Sequence, residues 1–426
     1  MTGFVSTRGG ATVSLADALF SGLAPDGGLY VPVEMPSLPP LAAPVEDIAS
    51  AGRWLAPSML PDAEPELIER VVSEAFTFPA PLREVEPRLH VLELFHGPTH
   101  AFKDIGARFM ARLMSALDRG GPTRTVLVAT SGDTGSAVAH AFHGLAGYRV
   151  IVLFPHGGVS ARQRRQMTTL GGNVSAFAVE GTFDDCQRMA KEAFQDVGFR
   201  ERYHLTSANS INIGRLIPQS LYYAYAAAKV GWSDRPVRFV VPSGNLGNLC
   251  GGLLAQLAGM PTAGFVSAVN ANRAFVDYLA EGQVEPRPSI PTHSSAMDVG
   301  VPSNLERIRW LYGSTPERLR REVRGVSVSD EQTRACIADT YERSGYVVDP
   351  HTAVGFCAHG LCPPIGDEAT VVISTAHPAK FPEVVEEATG TPVPLPPGIA
   401  AVMDKDEEMT HIEASLDALR EALKLL

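Results

Sequence analysis

The sequence has no apolar run approaching the roughly 20 residues that a membrane-crossing helix needs. Its first stretch, MTGFVSTRGGATVSLADALF, has no basic cluster followed by a continuous apolar segment, so no signal peptide is expected. Basic residues are in deficit: 36 Lys and Arg stand against 47 Asp and Glu, for a formal net charge of −11. That balance argues against a general binder of nucleic acid or of anionic membranes, but leaves room for a local basic pocket that takes a small anion. Cysteine is scarce and odd in number. Cys186, Cys250, Cys336, Cys357 and Cys362 are widely spaced and suggest no disulfide framework. Free thiols in a reducing compartment, and so a cytoplasmic location, are expected. There is no repeat of fixed period and no low-complexity tract. The 426 residues, 45% hydrophobic and 19% charged, have the composition of a soluble globular chain with length for two or three domains.

Residues 1–85 are rich in Pro, Gly and Ala, with short helical pieces such as SLADALF and EPELIERVVSEAF, and read as a segment packed on the rest. A rhythm begins after them. The runs TVLVAT, YRVIVLF, NVSAFAV, VRFVVP, GFVSAV and TVVIS are short and continuously apolar, as strands covered on both faces must be. Amphipathic stretches such as GSAVAHAFHGL, SARQRRQMTTL, TFDDCQRMAKEAF and NLCGGLLAQLAG follow most of them, which predicts βαβ units, an α/β fold and mostly parallel sheets. Cap signals mark later helices. Ser303 and Glu306 predict a capping box, as do Ser329 and Gln332 ahead of a Gly345 stop, and Pro350 suits a first turn.

In such sheets ligands bind beyond the carboxyl ends of strands, and here those ends run into polar or glycine-rich loops: SGDTGSA, ANSINIGR, PSGNLGN and TAHPAKF. SGNLGN, residues 243–248, opens a helix. Its free amides suit an anion, most simply a phosphate, or else it is a tight turn with an Asn cap. It is neither a GxGxxG nor a P-loop pattern. SGDTGSA, residues 131–137, is either an ordinary cap cluster or a holder for a carboxylate. HGPTHAFKD places Lys103 at a helix start, as a surface charge or as a buried reactive amine.

Six motifs in this chain order, HGPTHAFKD, ATSGDTGSA, SANSINIGR, VPSGNLGN, DPHTAVG and STAHPAKF, together with STRG and GLAPDGGLYVP near the start, resemble the threonine synthases over roughly residues 5–385. The resemblance implies a pyridoxal 5'-phosphate enzyme of the tryptophan-synthase-β-like fold, with two three-layer α/β domains and an N-terminal segment. It implies an N-terminal unit 1–85, a large cofactor-binding domain from 86–104 and 206–426, and a small mobile domain 105–205. It implies conversion of O-phospho-L-homoserine and water to L-threonine and phosphate by β,γ-elimination and replacement, with a monomer or weak homodimer as the expected state. By the same resemblance, Lys103 binds the cofactor aldehyde and serves as acid and base. Backbone amides of Gly244, Asn245, Leu246, Gly247 and Asn248 hold the cofactor phosphate, and Thr375 faces the ring nitrogen. Ser131, Asp133 and Thr134 embrace the substrate carboxylate near the cofactor's phenolic oxygen. Related enzymes often carry Asn where Asp133 stands, and an ionised Asp cannot donate to that oxygen. Asn209, Ser210 and Arg215 grip the leaving phosphate, an arginine fork suiting it bidentately.

Other signals stay outside this scheme. His96 and His100 have a metal-like spacing, but Gly97 and Pro98 between them speak against one helix, and a structural or cofactor-shaping role is expected. CAHGLCPP lacks a fourth ligand and reads as a helix end, so no metal is expected. Lys380 either faces the crevice or caps a helix, and ARQRRQ, residues 161–166, either steers an anionic substrate or, as the preferred reading, is a solvated helix face. The competing functions are a dehydratase or phospholyase of the same fold, a ligand-binding homologue without activity, and a nucleotide-binding module that rests on the glycine loops alone.

Overall fold

The computed structural model describes residues 3–41 and 44–425. Two mostly parallel sheets dominate it. The larger runs in the order Val323–Ser327, Gly264–Val269, Val237–Pro242, Ala369–Ser374, Leu89–Glu93 and Leu82–Glu86. All its pairs are parallel except the last, a hairpin between Leu82–Glu86 and Leu89–Glu93. The smaller runs in the order Thr410–Glu413, Val174–Glu180, Tyr148–Pro155, Arg124–Ala129 and Leu205–Ser207, all parallel. The expected runs are all strands. Val237–Pro242, Gly264–Val269 and Ala369–Ser374 are buried at every position, because helices cover both faces.

The sheets share one apolar core. The helix Ile213–Val230 is buried without a break from Ile213 to Ala227, and it packs against Lys103–Leu117, Gly247–Leu257 and Ile48–Met59. The last of these belongs to the N-terminal segment, which also forms an antiparallel pair, Phe4–Ser6 with Tyr30–Pro32. Phe76 of that segment stacks on Phe109 at 5.8 Å, and Phe109 is wholly buried, so Phe109→Ala would cost about 3–5 kcal/mol.

Local cap rules hold where no distant partner competes. Ser14, Ser160, Thr182 and Ser329 each close a capping box, and Gly345 ends its helix in the left-handed region at φ 69°. The box expected at Ser303 is absent. That helix starts at Leu305 after Asn304, without a side-chain cap bond. Glu306 instead accepts from Thr7 Oγ1 at 2.6 Å and from Arg8 Nε at 3.0 Å, while Ser303 N donates to Asn245 Oδ1 at 2.5 Å. A bidentate arginine partner outbids a solvent-exposed backbone amide.

The chain division also needs correction. Thr410–Glu413 pairs with Val174–Glu180, so the C-terminal stretch, assigned with 206–426 to the large unit, returns to the small sheet. The helix Lys103–Leu117 runs across the 104/105 boundary.

Candidate active site

Loops at the carboxyl ends of both sheets converge. The turn after Leu89–Glu93 carries Lys103, and its backbone is tied to the end of Ala369–Ser374: Phe102 N donates to Thr375 O at 2.8 Å, and His377 N to His100 O at 3.0 Å. Asp104, directly after the lysine, accepts from Thr99 N and Thr99 Oγ1, both at 2.8 Å, which clamps the loop. Burial lifts the Asp104 carboxyl to about 6, against the pull of those two bonds. A Cβ at Gly97 would fall 2.5 Å from Asp104 Oδ2, so the turn needs glycine there.

Of six lysines four are exposed, and the other two meet at one carboxylate. Lys380 is wholly buried, with Nζ 2.6 Å from Asp133 Oδ1 and donating to Thr99 O at 2.9 Å. Lys103 Nζ lies 3.8 Å from Asp133 Oδ2. Gln163 Nε2 donates to Asp133 Oδ1 at 2.9 Å. Burial alone would raise the Asp133 carboxyl, but Lys380 and then Lys103 outweigh it and hold it well below the usual range. Burial lowers the Lys103 amine; Asp133 opposes this, and Lys380 and Arg215 add to it. Asp133 is therefore an ionised acceptor, and Lys103 is inclined to neutrality. Lys380 is turned to Asp133 and Thr99 rather than to a helix end.

Asp133 opens the helix Asp133–Phe142, and Ser131 and Thr134 are half-buried on the same turn. The sequence reading missed Thr130, whose Oγ1 accepts from Gly132 N at 2.9 Å and Gly135 N at 2.8 Å and so shapes that turn. It also mistook residues 161–166 for a solvated face. Gln163 and Gln166 are buried, and Gln166 Nε2 donates to Thr99 O at 3.0 Å. Arg162 bonds Ala379 O, and Arg164 pairs with Glu407 at 2.8 Å. Two glutamines three apart among arginines were the available signal, since that spacing gives them one helix side.

The glycine loop joins Val237–Pro242 to the helix Gly247–Leu257. Leu246 is left-handed at φ 59°, and the helix Gly247–Leu257 starts without a side-chain cap bond. A Cβ at Gly244 would fall 2.6 Å from Met297 Cα, so only glycine lets these backbones approach. Asn248 Oδ1 accepts from the Tyr222 and Tyr223 hydroxyls, each at 2.6 Å, while its Nδ2 is buried without a partner. Asn245 Nδ2 donates to Ser210 Oγ at 2.8 Å, which joins this loop to residues 209–215. Asn209 Nδ2 reaches Ala129 O at 3.5 Å, and its Oδ1 is unpartnered.

Arg215 is buried, with Nη1 on Ala208 O at 2.5 Å and Nε unpartnered. Burial lowers it to about 10, and no carboxylate lies within ion-pair distance among the described residues. Arg215 is thus a buried cation without a carboxylate partner among the described residues. Arg307, missed in sequence, is equally buried and braces the loops through Ser210 O at 3.1 Å and Asn304 Oδ1 at 2.6 Å.

Thr375 Oγ1 is buried without a partner, and Thr375 N donates to Thr352 Oγ1 at 3.2 Å. Asp349 accepts from His351 Nδ1 at 2.7 Å, and Ala296 N donates to His351 Nε2 at 3.1 Å, which fixes the ring's tautomer. His96 Nε2 is 2.6 Å from Glu93 Oε2, and His100 and His377 meet edge to face. Cys362 follows the helix Pro350–Leu361, and His359 Nδ1 contacts Arg238 at 3.0 Å.

Uncapped helix amides, an orphaned hydroxyl at Thr375 and a largely enclosed lysine held below its usual range together fit a phosphate-bearing aldehyde cofactor. The comparisons agree. Residues 76–375 match the family described as pyridoxal-phosphate dependent enzyme, residues 3–73 the threonine synthase N terminus, and residues 352–423 the threonine synthase C-terminal region. The chain is 40% identical over 417 residues to threonine synthase of Serratia marcescens, 96% of each chain. The PLP-bound threonine synthase structure from Brucella melitensis superposes with a TM-score of 0.93 at 36% identity, over 100% of this chain and 99% of that one. The structure from Escherichia coli gives 0.92 at 37%, over 100% of both. The chain belongs to the threonine synthase family of pyridoxal-phosphate-dependent enzymes.

Proposed function

We propose that this enzyme converts O-phospho-L-homoserine and water to L-threonine and phosphate. The observation that carries the reading is Arg215, a buried guanidinium with an unpartnered Nε and no carboxylate in ion-pair reach among the described residues. Burying such a charge is costly unless an anion meets it. Asn209, with its free Oδ1, and Ser210 flank it on the same loop. A phosphorylated substrate supplies the anion; an unphosphorylated hydroxy-amino acid, as a dehydratase would take, does not.

The amides of Gly244 to Asn248 at an uncapped helix start would hold the cofactor phosphate, and the Thr375 hydroxyl would face the ring nitrogen. Bound there, the cofactor supplies an electron sink for negative charge on the adjacent substrate carbons. The side chains do the rest. Lys103, lowered by burial, offers an amine that would take a proton at the α carbon, with a β proton lost as phosphate leaves, and would return protons at the γ carbon and, after water adds at the β carbon, at the α carbon. Asp133 is ionised, so it cannot donate; Lys103 and Lys380 are the donors at this end of the site. Ser131 and Thr134, on the turn that opens the next helix, would bind the substrate carboxylate. All five cysteines are free, which suits the cytoplasm.

The test is to incubate cofactor-loaded protein with O-phospho-L-homoserine and quantify threonine and inorganic phosphate. Equal amounts of both are expected. Phosphate with a keto acid and no threonine would mean a phospholyase instead.

A further inference from the structure

Away from this site, three side chains from three neighbouring strands meet on the surface of the small sheet. His156 follows Tyr148–Pro155, Glu180 ends Val174–Glu180, and His411 lies in Thr410–Glu413. Glu180 Oε1 is 3.3 Å from His156 Nδ1 and 3.0 Å from His411 Nδ1, and the three ligand atoms all lie within 4.8 Å of one another. The two imidazole rings cross nearly at right angles, with centroids 4.7 Å apart.

We infer that His156, Glu180 and His411 form a binding site for a borderline divalent transition cation of the zinc class. Tetrahedral zinc, with ligand bonds of about 2.0–2.2 Å, needs donor atoms roughly 3.3–3.5 Å apart, close to the spacing already present. Two imidazoles and one carboxylate are a donor set that zinc, cobalt and nickel accept. The backbone holds the ligands in place. Parallel pairing sets Thr410–Glu413 beside Val174–Glu180, and His156 N donates to Val179 O at 2.9 Å. All three side chains are half exposed, so water completes the shell and no catalytic group is displaced. Thr410–Glu413 is an edge strand of four residues that pairs with one neighbour, so a shared cation would staple the C-terminal stretch to the sheet. Its affinity falls with acidity, because imidazole ligates only as the neutral ring.

The experiment is a calorimetric titration of the cofactor-loaded enzyme with ZnCl2 at pH 7.5, repeated with His411→Gln and His156→Gln. One equivalent binding at micromolar Kd is expected, weakened at least tenfold in each variant, with basal threonine formation unchanged. CoCl2 should give a visible ligand-field band that both variants lose. Absence of binding tighter than about 1 mM would overturn the inference. So would equal zinc affinity and an unaltered cobalt band in both variants, which would place the metal elsewhere.

Discussion

Lys380 Nζ sits 2.6 Å from Asp133 Oδ1, joining the end of the large sheet to the start of a helix on the small one. The same carboxylate lies 3.8 Å from Lys103. One buried anion is thus shared by two lysines, and removing either partner of the shorter pair strands a charge. Lys380→Met should therefore destabilise the holoenzyme by about 3–5 kcal/mol. Asp133→Asn added to Lys380→Met should recover most of the loss. Thermal midpoints of the two single variants and the double variant test this; strictly additive losses would mean the pair is not coupled.

Lys103→Ala should lower threonine formation by roughly 10³-fold or more, since it removes both the covalent attachment and the proton carrier. The cofactor's lysine-linked visible absorption should vanish in the same preparation. Retention of full activity would remove Lys103 from the chemistry.

Arg215→Ala should cut kcat/KM for O-phospho-L-homoserine by about 30- to 150-fold, the loss of a charge-assisted contact worth roughly 2–3 kcal/mol. Protection against heat by inorganic phosphate should weaken in parallel. An unchanged kcat/KM would leave the substrate phosphate without its proposed partner.

Stability should fall as pH drops from about 7 towards 4. Burial holds His100, His140, His359 and His377 at about 4, below the ordinary 6.5. Between those values the unfolded chain binds more protons, so each contributes stability that is intact above 6.5 and lost on the way down to 4. Asp104 has the opposite sign. Its raised carboxyl, at about 6, favours the folded state below that pH and loses the contribution as pH rises. One such group does not offset four histidines. The thermal midpoint measured at pH 7, 6 and 5 should decline, and His140→Gln should make the decline shallower. A midpoint that rises on acidification would contradict the assignment.

The strands and most helices were legible because their rules are short-ranged. Continuous apolar runs such as VRFVVP require cover on both faces, and a Ser329–Gln332 box needs only residues three apart. The loops SGDTGSA, PSGNLGN and TAHPAKF were legible as strand-end loops for a related reason, since a chain of this class opens its crevice there, whereas the roles of Lys103 and Thr375 came only from the family resemblance. The tertiary structure alone decided the rest. It took Glu306 from its expected cap to Arg8, buried Gln163 and Lys380 against Asp133, turned Arg215 inward without a carboxylate, and returned Thr410–Glu413 to the small sheet. Each of these depends on which distant segments become neighbours. In a dry interior a charge must find a partner wherever the fold places one, and periodicity along the chain does not encode that address.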